Sequence, residues 1–496
     1  MNARGLGYLG ESNGTVAPNE DSSYDDWPAE VTSARDRSRI LLLSGDPIGR
    51  RMAGPAIRVW NMAEVLSEHC DVRVVSWLPV ERTSERFELA FVRETDDHAM
   101  QEHETWADVI VVQGMGLRIF PCIAKTDKLV VADLYDPFQL EQLEMNKYSE
   151  PGKWDEEVTK AVSLLNEQIA RADCFLCASE EQRSLWLGNL SALGRLNPAT
   201  YVADPTFESL VRVVPFGLDP VPPVQRHHGI KGTVPGIAIT DKVLIWGGGI
   251  YNWFDPVTLV EAMGLIAETR PDIKLFFLSA RHFNPDVPDM KALADAVTAA
   301  ERLDLLDRTV FFNESWVDYE SRADYLLDAD LGVSTHLWHA ETRFSFRTRI
   351  LDYLWAGLPI VSTEGDVFAE LVQQRGLGAV VPTGDSKAAA DAIVDLLTDP
   401  ERYAVIRRNI DAVRAEFTWE HVLAPLVAYC IDPQPAADHD RVFARVDAAP
   451  RRSFDRILMM PRGIRRDLAL LRYYLGRGGT KLVAEKIQER RARRRR

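Results

Sequence analysis

ADLGVSTHLWHAETRFSFRTRILDYLWAGLP, residues 329–359, is the stretch whose reading decides the fold. Its apolar run Leu331 to Ser334 predicts a buried strand. A polar loop rich in His, Glu and Arg follows, then a helix expected from near Phe346 to Gly357-Leu358-Pro359. A further strand, Ile360 to Thr363, comes at once. Short apolar runs alternating with helices belong to parallel sheets covered on both faces. Ligands of such sheets sit beyond the strand C-ends, beside helix N-termini, where backbone N–H groups and the helix dipole favour phosphate. The loop places Arg343, Arg347 and Arg349 at that spot, with Asp352 on the helix. Guanidinium forks suit phosphate oxygens and a carboxylate suits a ribose diol. The set asks for a nucleoside diphosphate. The plainer alternative is an exposed, Arg-rich helix start whose charges pair with acids.

The same alternation extends outward in both directions. Arg39 to Ser44, Asp71 to Trp77, Asp108 to Gln113, Leu129 to Asp133, Cys174 to Ala178 and Val211 to Val214 read as strands. A helix is expected from Pro55, with Ala56, Val59, Ala63 and Leu66 on one face. A Pro-rich polar stretch, Leu218 to Gly236, then interrupts the series. It restarts with Val243 to Trp246, Lys274 to Ser279, Val310 to Asn313, Leu331 to Ser334, Ile360 to Thr363 and Gly378 to Val381. The expected fold is α/β: two doubly wound, Rossmann-like domains facing each other across a cleft. At 496 residues the chain is too long for one core.

Composition narrows the function. The net charge is −16. Residues 451–496 carry 16 Lys and Arg against 4 Asp and Glu, a net of +12, so the remainder carries −28. An acidic body argues against general nucleic-acid binding, and a basic tail argues for a specific anionic surface. No apolar run is long enough to span a bilayer, and no signal peptide is expected. Five Cys point to a reducing, cytoplasmic setting. Cys174 and Cys177 have CxxC spacing but sit in an apolar run, which predicts core thiols rather than metal ligands.

Several residues could face the cleft. After the first strand, GDPIGRRMAG brings Gly49, Gly54, Arg50 and Arg51, with Arg58 on the helix beyond. The glycines either admit a ligand against the backbone or form a tight turn; GxGxxG is absent. Asp136 ends another strand loop, where it either handles a sugar hydroxyl or its proton, or stabilises the turn. Ser179 is expected to cap a helix, with Gln182 completing a capping box. In the second half, Gly247, Gly248 and Gly249 remove side chains where a pyrophosphate could lie. Arg281 and His282 follow the next strand. His336 and His339 in the opening loop are either ligand contacts or locally paired, and no third group suggests a metal.

At this point a family emerges. VVPFGLD, WGGGIYNWFDPVTLVEAM, DADLGVSTH with LDYLWAGLPIVSTEGD, and FTWEHVLAPLVAYC together resemble the GT-B glycosyltransferases of the retaining group 1 type, family 4, over roughly Ile40 to Tyr429. The resemblance implies residues 37–225 as an acceptor-side domain and 226–432 as a nucleotide-sugar domain whose last helix packs back on the first. Residues 1–36 are read as a disordered leader and 433–496 as a linker and basic amphipathic tail. It also implies a nucleotide-diphosphate sugar as donor, a glycan or lipid-linked acceptor, no cofactor and no bound metal.

The family's donor block has two glutamates eight apart, the second five before the turn glycine. Five before Gly357 stands Asp352, expected to hold the ribose; eight before that stands Phe344, and Glu341 is the nearest acid. The family's early Arg and Lys are absent from GGGIYNWFDP, so Arg347, Arg349 and Arg51 are the expected substitutes. The expected site is therefore Glu341 and Asp136 as catalytic groups, with Gly54, Arg51, Gly248, Gly249, Arg281, Arg347, Arg349 and Asp352 on the donor. Two alternatives stay open: a non-catalytic sugar-nucleotide-binding partner of an assembly complex, and a nucleotide-sugar 2-epimerase on the same fold.

In the tail, Ile464, Leu468, Leu471 and Leu475 make an apolar helical stripe flanked by arginines, before the terminal RRARRRR. This suits anionic lipid headgroups and a peripheral place on the inner membrane face. A solvated tail or a nucleic-acid arm is the alternative.

Overall fold

A computed structural model describes residues 37–94, 96–281, 290–442 and 466–472. The expected leader, His282, Ile464, Leu475 and the terminal arginines lie outside the described residues. Leu468 and Leu471 fall on a short described helical stretch and are exposed.

Among the described residues, thirteen strands form two parallel sheets. The first holds β1 (Arg39–Ser44), β2 (Asp71–Ser76), β3 (Glu88–Phe91), β4 (Val109–Val112), β5 (Leu129–Asp133), β6 (Cys174–Cys177) and β7 (Val211–Val213), in the order β3-β2-β1-β4-β5-β6-β7. The second holds β8 (Lys242–Trp246), β9 (Ile273–Phe277), β10 (Val310–Phe312), β11 (Leu331–Ser334), β12 (Ile360–Thr363) and β13 (Gly378–Val381), in the order β10-β9-β8-β11-β12-β13. The central strands are apolar throughout because helices cover both faces. In β1, Ile40 and Leu42 join one core while Leu41 and Leu43 join the other, as a period of two requires.

Each sheet reverses strand order once, between β1 and β4 and between β8 and β11. Loops on the two sides of a reversal diverge and open a crevice at the strand C-ends. Where the lobes connect, the chain crosses twice and the crossings bond to each other. Leu218 N donates to Phe417 O at 2.7 Å, and Trp419 N donates to Leu218 O at 3.1 Å. The helix Trp419–Ile431 then packs on the helix Gly54–Leu66 of the first lobe.

Two local expectations need correction, and one strand was not expected. The decisive helix starts at Arg349, not near Phe346, and the polar loop before it contains a separate short helix, Ala340–Phe344. Ser345 is extended and donates back to Thr342 O at 2.8 Å, which breaks the two apart. The edge strand β3 has no apolar run to announce it, since it is half exposed. Ser179 does cap its helix by accepting from Gln182 N. The reciprocal half of the box is missing: Gln182 Oε1 accepts from Ala178 N instead. Its Nε2 donates to Tyr135 O and to Phe344 O, tying one lobe to the other.

Candidate active site

Both reversal points open into one cleft of about 480 Å³ between the lobes. Its floor in the second lobe is Gly247 to Gly249, directly after β8. Gly248 has φ +81°, a backbone state that side chains disfavour, and a Cβ there would meet nothing. The bare backbone thus faces open space. The N-terminus of the helix Arg349–Ala356 lies in the same wall. Tyr353, on that helix, fixes the floor: its Oη accepts from Gly247 N at 2.8 Å.

Of the expected residues, Gly54, Asp136, Gly248, Gly249, Arg347, Arg349 and Asp352 all line this cleft. Arg349 is buried and lies 4.0 Å from the Phe254 ring centre and 4.3 Å from Trp246. Its Nη2 donates to Gly249 O at 2.9 Å, while its Nη1 has no hydrogen-bond partner among the described residues. Burial pulls its guanidinium down to about 10, so it stays cationic at neutral pH. Asp352, its side chain 41% exposed, pairs with Arg322 at 3.4 Å.

Arg347 is engaged differently. It grips Glu341 with two 2.7 Å bonds, both side chains buried, and its Nε stands 3.8 Å from Asp366. Glu341 itself lies behind Arg347 rather than on the cleft surface. Arg51 and Arg50 reach across the cleft edge to Asp318, at 3.4 and 2.7 Å, and Arg51 does not line the cavity. Arg281 is exposed just beyond β9 and is also outside the lining. Arg58 is a strut of the first lobe, bonded to Asp133, Val214 O and Pro215 O. His336 and His339 are held by local contacts. His336 is buried with its ring held down to about 3, first by burial and then by Arg347. His339 caps the Ala340 helix through Nδ1 and bonds Trp253 O.

The first-lobe wall is acidic. Asp136 is hydrogen-bonded to Glu141 and pushed up to about 7, by burial first, with Glu341 adding to the rise and Arg347 opposing it. Asp46, directly after β1, is raised to about 6 by burial. Asp46, Glu141, Arg322, Tyr251 and Tyr319 line the cleft without having been expected there. Asp46 and Glu141 had a sequence signal, since each follows a strand C-end within a few residues of a singled-out position. Arg322 had none.

A cleft between two doubly wound lobes, with its floor at the second lobe's reversal point, is the architecture of the GT-B glycosyltransferases. Solved structures with this fold include sucrose-phosphate synthase from Thermosynechococcus elongatus (16% identical, TM-score 0.56, covering 84% of this chain and 100% of that one). Anabaena HepE in complex with UDP and glucose also has it (14%, TM-score 0.55, 79% and 99%). Within the fold, residues 241–399 match the family described as Glycosyl transferases group 1. A phosphatidyl-myo-inositol mannosyltransferase of Mycobacterium leprae (strain TN) is 33% identical over 84 residues, 17% of this chain. The chain spans about a fifth of that relative's length, 22%.

Proposed function

We propose that the chain is a glycosyltransferase that moves a sugar from a nucleotide-diphosphate donor to a glycan or lipid-linked acceptor, with retention and without a bound metal. One observation carries the reading: Arg349's unpartnered Nη1, the bare Gly248 backbone, the start of the Arg349 helix and Asp352 line one cleft wall. In this assignment the diphosphate meets Arg349 and the helix N-terminus, and Asp352 takes the ribose hydroxyls. Cations and N–H groups fixed where leaving-group charge develops stabilise a departing diphosphate without reorganising. The sugar C1–O bond to phosphate breaks, a C1–O bond to the acceptor hydroxyl forms on the same face, and the hydroxyl proton passes to the departing phosphate oxygen. Residues 37–225 serve the acceptor and 226–432 the donor. HepE in complex with UDP and glucose, and the structure described as trehalose-6-phosphate from E. coli bound with UDP-2-fluoro glucose, support a nucleotide-sugar donor here.

Thermal-shift measurements with UDP, GDP, dTDP and ADP test the donor site. A ligand at 100 times its Kd raises stability by about 2.7 kcal/mol. Absence of a shift with all four rejects the reading. The closed Arg347–Glu341 pair favours a second reading, a sugar-nucleotide-binding partner that does not turn over; nucleotide release that fails to rise with any acceptor would favour it.

The tail supports a peripheral place on the cytoplasmic membrane face, resting on its sequence: +12 on a −28 body. Among the described residues no helix is long and apolar enough to cross a membrane. Deleting residues 451–496 is expected to abolish sedimentation with anionic liposomes, and wild-type binding is expected to weaken in high salt. Equal sedimentation of both proteins overturns the attachment.

A further inference from the structure

Asp352 is one methylene shorter than the glutamate expected at its place, and it does not stand alone. Arg322 opens a short helix, Arg322–Leu326, on the segment after β10, and its Nε donates to Asp352 Oδ1 at 3.4 Å. The guanidinium is itself fixed. It lies 3.8 Å from the Tyr319 ring centre and 4.3 Å from that of Trp355, and its Nη1 donates to Tyr319 O at 3.0 Å. Only 14% of the side chain is exposed. Tyr319, Arg322, Asp352 and Trp355 all line the cleft. Two rings and a carbonyl hold the planar guanidinium in one orientation, with its Nε toward the acid.

We infer that Arg322 is a positioning residue for nucleoside recognition: it holds Asp352 aimed into the cleft, so that selectivity for a ribose depends on Arg322 although Asp352 makes the contact. The inference rests on the ribose role proposed above for Asp352. The cleft desolvates Asp352 and raises its pKa, and Arg322 opposes that rise through both its charge and its hydrogen bond. A neutral acid spends one oxygen as a donor and accepts more weakly; a carboxylate accepts from both hydroxyls of a diol. A short acid also needs external orientation, because its reach leaves less room to adjust.

Calorimetry on the full chain tests this. The tightest binder among UDP, GDP and ADP is compared with its own 2′-deoxy and 3′-deoxy analogues. Wild type is expected to prefer the ribo form at least tenfold. Arg322→Met is expected to reduce that preference below threefold, while the preference for diphosphate over monophosphate stays within twofold of wild type. Arg322→Lys keeps the charge but cannot hold the stacked fork, and it is expected to fall between the two. It decides the matter if the Met variant does not fold. Asp352→Ala is expected to lose the same ribose selectivity, and the double variant to lose no more, since coupled residues are not additive. Full selectivity in the folded Arg322 variants, with Asp352→Ala losing it, overturns this inference alone. Full selectivity in Asp352→Ala, or none in wild type, overturns the ribose role as well.

Discussion

Arg58 and Arg349 are both buried arginines on helices that follow a strand at a reversal point, one in each lobe. Their surroundings differ in one respect. Arg58 has a bidentate carboxylate, Asp133, at 2.8 Å on both bonds, and two carbonyls, Val214 O and Pro215 O, also at 2.8 Å. Gln113 completes the set by donating to Asp133 at 2.7 Å. Among the described residues, Arg349 has two aromatic faces and one carbonyl, no carboxylate pair, and an Nη1 left over. A buried charge is stable when paired and costly when not. Arg58 therefore belongs to the scaffold, where it joins the helix after β1 to β5 and to the exit of β7. Arg349 carries an unmet demand, and in a cleft such a demand is what an anionic ligand meets.

The largest effect is expected where pairing is complete. Arg58→Met leaves Asp133 buried with only Gln113 for support, so it should lower the unfolding free energy by about 3–5 kcal/mol. Urea unfolding with an unchanged m-value reads this directly. A loss under 1 kcal/mol would show that the pair is not scaffold, and the contrast between the lobes would collapse.

Arg347 sharpens the comparison, because it sits two residues from Arg349 but is paired like Arg58. Arg347→Met is expected to destabilise by a similar few kcal/mol, since it strands Glu341. Adding Glu341→Gln should restore part of that loss. Arg349→Met is expected to leave stability within about 1 kcal/mol of wild type, because no carboxylate is stranded and Gly249 O keeps its bond from Trp246 Nε1 at 3.3 Å. It should instead weaken nucleoside diphosphate by about 1.5–3 kcal/mol relative to the nucleoside, the range for a hydrogen bond to a charged group. If the two variants exchange these outcomes, the diphosphate assignment moves from Arg349 to Arg347.

The two lobes also differ in how much of them the sequence discloses. Strands β1, β4, β8 and β11 are legible because a strand buried on both faces is an unbroken apolar run. Strand β3, ELAF, is half exposed and carries no such run. The Gly247–Gly249 floor and the arginines near the decisive helix are legible because ligand chemistry clusters at strand C-ends. The partner of each arginine is not. Whether Arg347 or Arg349 is committed depends on the break at Ser345, which turns Arg347 back onto Glu341, six residues earlier. Arg322 reaches Asp352 from thirty residues away in sequence, and Gln182 reaches Phe344 O from the other lobe. Those pairings come from tertiary packing, which no local spacing encodes.

A second contrast lies between the cationic wall of the second lobe and the acidic wall of the first. Burial raises Asp136 to about 7 and Asp46 to about 6, against ordinary values near 4 in the unfolded chain. For an acid whose folded value is raised, the folded state binds more protons than the unfolded state across the gap. Stability then falls as pH rises, with the full contribution present below about pH 4 and its loss complete once pH passes the folded value. Asp136→Asn removes the titration, so the variant should gain on wild type as pH rises from 4 to 7. Chemical denaturation of both proteins at pH 4, 5.5 and 7 measures the difference. A difference that stays flat, or that runs toward wild type as pH rises, means that Asp136 is ionised without cost in the folded protein. The acidic wall would then present a charged carboxylate at neutral pH rather than a protonated one.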